Sequence, residues 1–156
     1  MKLILRAGGA MRAGPEREMV DDYLKRAQSM ARGLGFLDVE EQSVELGKCR
    51  NRSEETEKLT GSLPDGAVIF ILDERGKSVT SRQLSRNLAR LRDDGHTAAV
   101  FLIGGADGFE PAALPPSIRK ISFGTQTWPH KLVRVMLAEQ IYRALSILAG
   151  TPYHRD

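Results

Sequence analysis

Two uninterrupted apolar runs constrain the fold of this chain more than any other feature. They are Ala67–Leu72 and Ala98–Ile103, and turn-forming residues follow each of them. Continuous apolar runs of this length are typical of strands that are buried on both faces of a parallel sheet. The sequence therefore predicts a parallel sheet that helices cover on both sides.

Three other segments carry apolar residues three or four positions apart, which is the spacing of an amphipathic helix. They are Pro15–Arg32, with Met19, Tyr23, Ala27 and Met30; a segment that Thr80 or Ser81 caps, with Leu84, Leu88 and Leu91; and Pro129–Ala149, with Val133, Leu137, Ile141, Leu145 and Leu148. Pro129 suits the first turn of the last helix, and Gly150 its end. Strands and helices therefore alternate along the chain.

Three weaker runs complete the pattern. Lys2–Leu5 and Lys120–Phe123 predict short strands, and Phe36–Leu46 predicts a more exposed one. The charged segment Gly47–Gly61 is either a mobile loop or a short solvated helix, and the residues 73–76 break the strand that precedes them. The predicted class is α/β, with residues 1–156 forming one domain, since 156 residues is about the size of a single domain.

The composition indicates which cellular compartment and which classes of partner suit this chain. The single cysteine, Cys49, has no internal partner for a disulfide, which favours a reducing compartment. The longest apolar runs fall far short of the ~20 residues of a membrane span, and the N-terminus lacks the features of a signal peptide. We expect a soluble cytoplasmic protein without a membrane partner. A net charge of +3 permits RNA binding but does not demonstrate it.

Three loops follow the predicted buried strands and would meet at one edge of the sheet, where parallel sheets bind their ligands. They are Leu72–Lys77, Gly104–Gly108 and Gly124–His130. Their glycines suit either a ligand cradled by backbone or tight turns that leave the sheet. Neither a P-loop nor a Gly-x-Gly-x-x-Gly motif is present, so a nucleoside ligand without phosphates fits better than a nucleotide.

The sequence contains no pattern typical of a metal site or of a catalytic nucleophile. The three histidines are scattered, Cys49 stands alone, and no Gly-x-Ser-x-Gly motif occurs. Asp73 and Asp107 are either paired acids or turn formers. His130 and Arg134, one helical turn apart, are either an anion-binding pair or a solvated helix start.

The C-terminus is more unusual, because Tyr153-His154-Arg155-Asp156 places an aromatic ring, a titratable base and a cation in succession after Pro152. Five segments then match one known family in order and spacing. They are Leu72–Lys77, Ile103-Gly104-Gly105, Trp128–Arg134, Glu139–Ala144 and Pro152–Arg155. Together they resemble the bacterial large-subunit rRNA methyltransferase H family, a minimal group of the SPOUT class. The likeness is close over residues 67–156, and the total length agrees.

The resemblance implies a homodimer with a C-terminal trefoil knot that uses S-adenosylmethionine to methylate N3 of a pseudouridine in a 23S rRNA stem-loop on assembled ribosomes. The implied cofactor contacts are Leu72, Gly104, Gly105, Phe123, Gly124, Thr125, Gln126, Thr127 and Trp128. The C-terminal tail would complete the partner subunit's pocket. Val135 and Met136 widen the apolar face of the last helix, which suits either a subunit contact or burial in the core.

The implied chemistry assigns catalytic roles to four residues and a cofactor contact to Trp128. A pseudouridine N3 carries an imide proton that must leave, and His154 is the candidate base, with His130 as a second candidate. Arg155 would stabilise charge on the carbonyl oxygens of the base, and Tyr153 belongs to the same tail. The sulfonium would need carbonyl dipoles or an aromatic face such as that of Trp128.

Two departures from the family pattern stand out: Ala106 replaces a frequent proline, and residues 124–127 vary among relatives. Neither changes the assignment. Two alternatives stay open: a SPOUT methyltransferase acting on tRNA, and a non-catalytic, ribosome-associated module that binds the cofactor.

Overall fold

Five strands form one sheet in which every neighbouring pair is parallel. The computed structural model describes residues 1–155, so Asp156 of the predicted tail lies outside the described residues. The strands are β1 (Lys2–Gly8), β2 (Asp38–Val44), β3 (Val68–Ser78), β4 (Ala98–Ile103) and β5 (Arg119–Ser122). Their order across the sheet is β2-β1-β4-β3-β5, which confirms the predicted parallel sheet.

Four α-helices in the described residues cover the two faces of this sheet. They are α1 (Pro15–Ala31), α2 (Arg52–Thr60), α3 (Ser81–Asp93) and α4 (His130–Leu148). α4 packs against both α1 and α3 on one face. α2 lies on the other face, where Arg6 of β1 donates to the Lys58 carbonyl. The predicted α/β class with helices on both sides is therefore confirmed.

The central strand β4 explains why the apolar runs are continuous. All six of its residues are buried. Ala99, Phe101 and Ile103 pack in the core beneath α1, α3 and α4, whereas Val100 and Leu102 pack in a smaller core on the α2 side. Because successive side chains of a strand point to opposite faces, both faces must be apolar.

Side-chain hydrogen bonds cap the N-termini of two helices, α3 and α2. Thr80 caps α3 through its hydroxyl, which accepts a hydrogen bond from Gln83 N at 3.1 Å, while Gln83 Oε1 accepts one from Thr80 N at 2.8 Å. This reciprocal capping box decides between Thr80 and Ser81. The charged segment at residues 47–61 contains a helix after all, because Asn51 caps α2 by accepting from Glu54 N.

Three predicted details are wrong. β3 does not end at Leu72 but runs to Ser78, because after an irregular stretch Lys77 and Ser78 pair with β5 again. Pro129 precedes α4 and caps it instead of lying within it. Met19 is 45% exposed, so the buried positions of α1 are Val20, Ala27 and Ala31.

No helix in residues 1–155 combines the length and the apolar character needed to cross a membrane.

Candidate functional site

A cavity of about 620 Å³ opens at the carboxyl edge of the sheet, between the irregular stretch of β3 and the loops that follow β4 and β5. These are the three segments that the sequence singles out as loops. Nearly all of the predicted cofactor contacts line it: Leu72, Gly104, Gly105, Phe123, Gly124, Gln126, Thr127 and Trp128. Thr125 does not line the cavity. His130, the second candidate base, lines the cavity as well.

The loop after β4, which we call the glycine loop (residues 104–110), forms one wall. Gly108 N donates to Gly105 O at 3.1 Å and closes a tight turn. A Cβ on Gly104 would lie 3.1 Å from both the Gly108 carbonyl carbon and the Phe109 ring. A side chain at Gly104 would therefore press against the turn, and the Gly104 backbone borders the cavity.

His130 joins α4 to this wall. Its Nε2 lies 2.7 Å from Gly104 O, so Nε2 carries a hydrogen and donates it. Burial lowers the pKa of His130, and the nearby positive charge of Arg134 lowers it further. The imidazole is thus held neutral, with Nδ1 left as an acceptor.

Ser122 organises the loop after β5, a role that sequence reasoning missed. Its hydroxyl donates to Gly124 O at 2.7 Å and accepts from Gly124 N at 3.1 Å. This buried serine turns the chain into the segment 123–128 that lines the cavity. A serine at the last position of a strand, two residues before a glycine, is the one signal that points to such a turn.

The irregular stretch of β3 forms the opposite wall. Asp73 Oδ1 accepts from Arg75 N at 2.9 Å, and its other oxygen lies 3.6 Å from Lys120 Nζ. Asp73 is therefore a turn former, which resolves one of the two acids left open. In residues 1–155, no cluster of histidine, cysteine or carboxylate side chains has the arrangement of a metal site.

The cavity combines an apolar wall with charged side chains, among them Asp73, Arg75 and Lys120. Apolar side chains of Leu72, Ile103, Leu114 and Val133 line it, together with the half-exposed indole of Trp128. Backbone carbonyl and N–H groups of the glycine loop supply polar contacts. The apolar wall suits the aromatic part of a nucleoside-like compound.

The C-terminal tail lies elsewhere in the same chain, against α4. The Tyr153 hydroxyl donates to Glu139 Oε1 at 3.0 Å, and its ring lies 4.6 Å from that of Tyr142. Burial, followed by hydrogen bonding to Tyr23 and Glu139, raises the pKa of Tyr153, so the hydroxyl remains protonated near neutrality. Tyr153 is a hydrogen-bond donor here.

His154 lines a second depression, the tail groove, which has a volume of about 950 Å³ between α1, α3 and α4. Its Nδ1 lies 3.3 Å from Arg143 Nη1. Arg155 is exposed. Ser122, Phe123 and Gly124 line both the tail groove and the cavity, so these residues form a shared rim. Within one chain, therefore, His154 is not brought into the cavity that holds His130.

Arg134 has a different role from either sequence interpretation. Its side chain is only 2% exposed and donates to Gly8 O and Gly9 O, each at 2.9 Å. Nη1 also lies 3.4 Å from Glu41 Oε1. Arg134 is therefore neither an anion-binding residue nor a solvated one, because it contacts the end of β1 and Glu41 of β2.

A parallel sheet with a cavity at its carboxyl edge is the arrangement in which α/β proteins bind their ligands. A family model described as "Predicted SPOUT methyltransferase" matches residues 1–154. The chain belongs to the SPOUT methyltransferase family, which confirms the resemblance seen in the motifs.

Curated relatives with the name "Ribosomal RNA large subunit methyltransferase H" are similar to this chain over almost their whole length. The chain is 50% identical to the protein from Maricaulis maris over 156 residues, which is 100% of both chains. It is 48% identical to that from Hyphomonas neptunium and 49% identical to that from Dinoroseobacter shibae, each over 99% of both chains.

Proposed function

We propose that this protein methylates N3 of a pseudouridine in a 23S rRNA stem-loop on assembled ribosomes, in the cytoplasm. The observation that carries the proposal is identity of 44–50%, over at least 99% of each chain, with relatives named as large-subunit rRNA methyltransferases. The cavity supports it, because it occupies the ligand-binding edge of the sheet and suits a nucleoside.

The methyl donor that we propose is S-adenosylmethionine. Leu72, Gly104, Gly105 and the segment Phe123–Trp128 would hold it, with Thr125 included as part of that segment. The close packing around Gly104 supports this fit, because a side chain there would press on the turn that forms the wall. When bound, the cofactor supplies an electrophilic methyl group, and the chain's task is to present the acceptor nitrogen and accept its proton.

His154 is the proposed base, and its contacts set a condition on that role. Arg143 donates toward Nδ1, so the neutral imidazole carries its hydrogen on Nε2. His154 therefore accepts a substrate proton only after it leaves Arg143. Entry of the tail into the cavity of a partner subunit would release that contact.

The proposal therefore includes a homodimer in which each tail completes the other subunit's site, together with the C-terminal trefoil knot of the class. The shared rim at Ser122–Gly124 supports this arrangement, since the tail groove adjoins the cavity there. In the completed site Tyr153 would donate a hydrogen bond, and Arg155 would stabilise charge on the carbonyl oxygens of the base.

His130 is the second candidate base. It already lines the cavity, and its donation to Gly104 leaves Nδ1 with a lone pair. Its lowered pKa keeps that lone pair available near neutrality but makes it a weaker proton acceptor. Substitution of each histidine in turn distinguishes the two candidates.

The test is transfer of labelled methyl groups from S-adenosylmethionine to ribosomes that lack the modification, followed by mapping of the product nucleotide. A methyl group on N3 of the stem-loop pseudouridine is the expected result. Transfer to tRNA but not to ribosomes would contradict the substrate and retain the enzyme class. Cofactor binding without transfer to either RNA would identify a non-catalytic module instead.

A further inference from the structure

The short helix α2 reaches across to the glycine loop. Arg52, Glu55 and Thr56 are three and four positions apart, so their side chains share one face of the helix. Each of them lies against the glycine loop. α2 is thus a neighbour of the cavity wall, although it begins some 50 residues before the loop in the sequence.

Thr56 makes the most buried of these contacts. Its hydroxyl accepts a hydrogen bond from Glu110 N at 2.9 Å and donates one to Arg52 O at 2.9 Å. The residue is completely buried. Without this hydroxyl, the Glu110 N–H would lose its acceptor in a part of the structure with little water.

Arg52 makes the charged contacts. Its Nη2 and Nε lie 2.6 and 3.0 Å from Glu110 Oε2, and its Nη1 lies 3.5 Å from Asp107 O. Arg52 also lines the cavity. One guanidinium therefore binds the end of the glycine loop through a side chain and its middle through a carbonyl.

The loop has few other side-chain supports. Its internal bond between Gly108 N and Gly105 O closes the turn but does not orient the turn relative to the sheet. Among the described residues, the side-chain hydrogen bonds that reach the loop from elsewhere come from His130, at Gly104, and from α2. The orientation of residues 107–110 thus depends on α2.

We propose that Arg52 and Thr56 are positioning residues that hold the glycine loop in the geometry required for binding S-adenosylmethionine. This inference rests on the proposed function, because it takes the cavity as the cofactor site. Both residues act through the loop: Thr56 through the Glu110 amide, and Arg52 through the Glu110 carboxylate and the Asp107 carbonyl. The charged segment 47–61 accordingly serves the cofactor site.

Two pairs of variants in the full-length protein test the proposal. Arg52→Gln removes the charge that pairs with Glu110, and Arg50→Gln is its matched control. Arg50 lies next to the same helix and pairs only with Glu54, 2.7 Å from its Nε, among the described residues. Thr56→Val removes the hydroxyl at nearly constant shape, whereas Thr56→Ser keeps it.

Three quantities are measured. They are the dissociation constant of S-adenosylmethionine by calorimetry, the KM for S-adenosylmethionine and the kcat with ribosomes as substrate, and the amide hydrogen exchange of residues 105–110. We expect Arg52→Gln and Thr56→Val to raise the dissociation constant and the KM about three- to tenfold, with kcat at saturating cofactor within about twofold of wild type. Loop exchange should accelerate in both variants, and Thr56→Ser should recover most of the affinity.

If Arg52→Gln and Thr56→Val bound S-adenosylmethionine as tightly as Arg50→Gln does, the positioning role would be overturned. Binding by the wild-type protein would still support the cofactor assignment. Failure of the wild-type protein to bind S-adenosylmethionine would instead refute the cofactor assignment, and this role with it. A fall in kcat without a change in affinity would also contradict positioning of the cofactor.

Discussion

Gly76 lies where the irregular stretch of β3 passes closest to β5. A Cβ at this position would lie 2.6, 2.7 and 2.8 Å from the carbonyl carbon, nitrogen and oxygen of Ile121. All three are backbone atoms of a paired strand, so they cannot move aside as the end of a flexible side chain would. We predict that Gly76→Ala lowers the free energy of unfolding by about 2 kcal/mol, measured by denaturant titration.

Gly33 provides the matched control for this substitution. It lies in the exposed turn after α1, and a Cβ there would have no atom within 4 Å. Gly33→Ala should leave the free energy of unfolding within about 0.5 kcal/mol of wild type. Equal stability of the two variants would show that the approach of Gly76 to Ile121 imposes no constraint.

His130 makes stability depend on pH. Its folded pKa lies below that of an unfolded histidine, which is about 6.5, so the unfolded chain binds more protons between the two values. The stability contribution of the neutral imidazole is complete above about pH 6.5 and is lost as the pH falls toward the folded pKa. We predict that the stability advantage of wild type over His130→Gln shrinks between about pH 7.5 and pH 5.

The measurement is the free energy of unfolding of both proteins across that range. Because the carboxylates titrate equally in the two proteins, the difference between the curves isolates His130. A difference that stays constant or grows as the pH falls would contradict the lowered pKa.

At the scale of elements, Arg134 links α4 to the two strands at the edge of the sheet. It donates to Gly8 O and Gly9 O at the end of β1 and pairs with Glu41 of β2, which also pairs with Arg17 of α1 at 2.7 Å. Removal of the guanidinium would leave two carbonyls without these donors and Glu41 with only one cation. We predict that Arg134→Met lowers the free energy of unfolding by about 3 kcal/mol, measured by denaturant titration.

The exposed pair of Arg26 and Asp22 serves as the control for this prediction. These two side chains are 51% and 53% exposed and lie 2.9 Å apart within α1. Arg26→Gln should change stability much less than Arg134→Met does, because water and salt screen such a pair and the other contact of this guanidinium, 5.8 Å from the centroid of the Tyr142 ring, is weak at an exposed site. If Arg134→Met unfolded like wild type, the linkage between α4 and the strands would contribute nothing.

At the scale of the whole molecule, the C-terminal tail and the cavity of one chain lie apart, which bears on how two subunits would share a site. His154 lies in the tail groove, and Gly104 lies in the cavity of the same chain. If each tail completes the other subunit's site, His154→Ala and Gly104→Val damage different halves of one composite site. Each variant alone should be inactive, since every site then lacks one half.

Mixed dimers of the two variants should regain activity, because one site per heterodimer combines an intact tail with an intact cavity. Random assembly should restore about a quarter of the wild-type rate of methyl transfer, since half of the dimers are mixed and each has one complete site. The two variants are co-expressed with different affinity tags, and the restored rate of methyl transfer is measured with a ribosome methylation assay. No recovery in purified heterodimers would contradict a site shared between subunits.

Much of this molecule follows from patterns that are local in the sequence. The apolar runs at residues 67–72 and 98–103 predict β3 and β4, because a strand buried on both faces has no polar side to show. The spacing of Leu84, Leu88 and Leu91 predicts α3 for the same kind of reason. Most of the lining of the cavity follows too, since loops after parallel strands must meet at one edge.

Other features depended on neighbours that are distant in the chain. Arg134 and Gly8 are 126 residues apart, and Thr56 and Glu110 are 54 apart. β3 continues past Leu72 only because β5 offers backbone partners to Lys77 and Ser78. The partner of a buried polar group is chosen by proximity after folding, and no local pattern encodes it.

The sequence by itself determined the class of fold, the order of most of its elements and the edge of the sheet at which the cavity lies. Periodicity suffices for these, because burial acts on each element separately. The tertiary structure alone decided that Arg134 is a linkage, that α2 supports the glycine loop, and that His154 lies apart from the cavity. Those outcomes require groups from separate elements to compete for the same hydrogen bonds, and only the packed molecule brings them within reach.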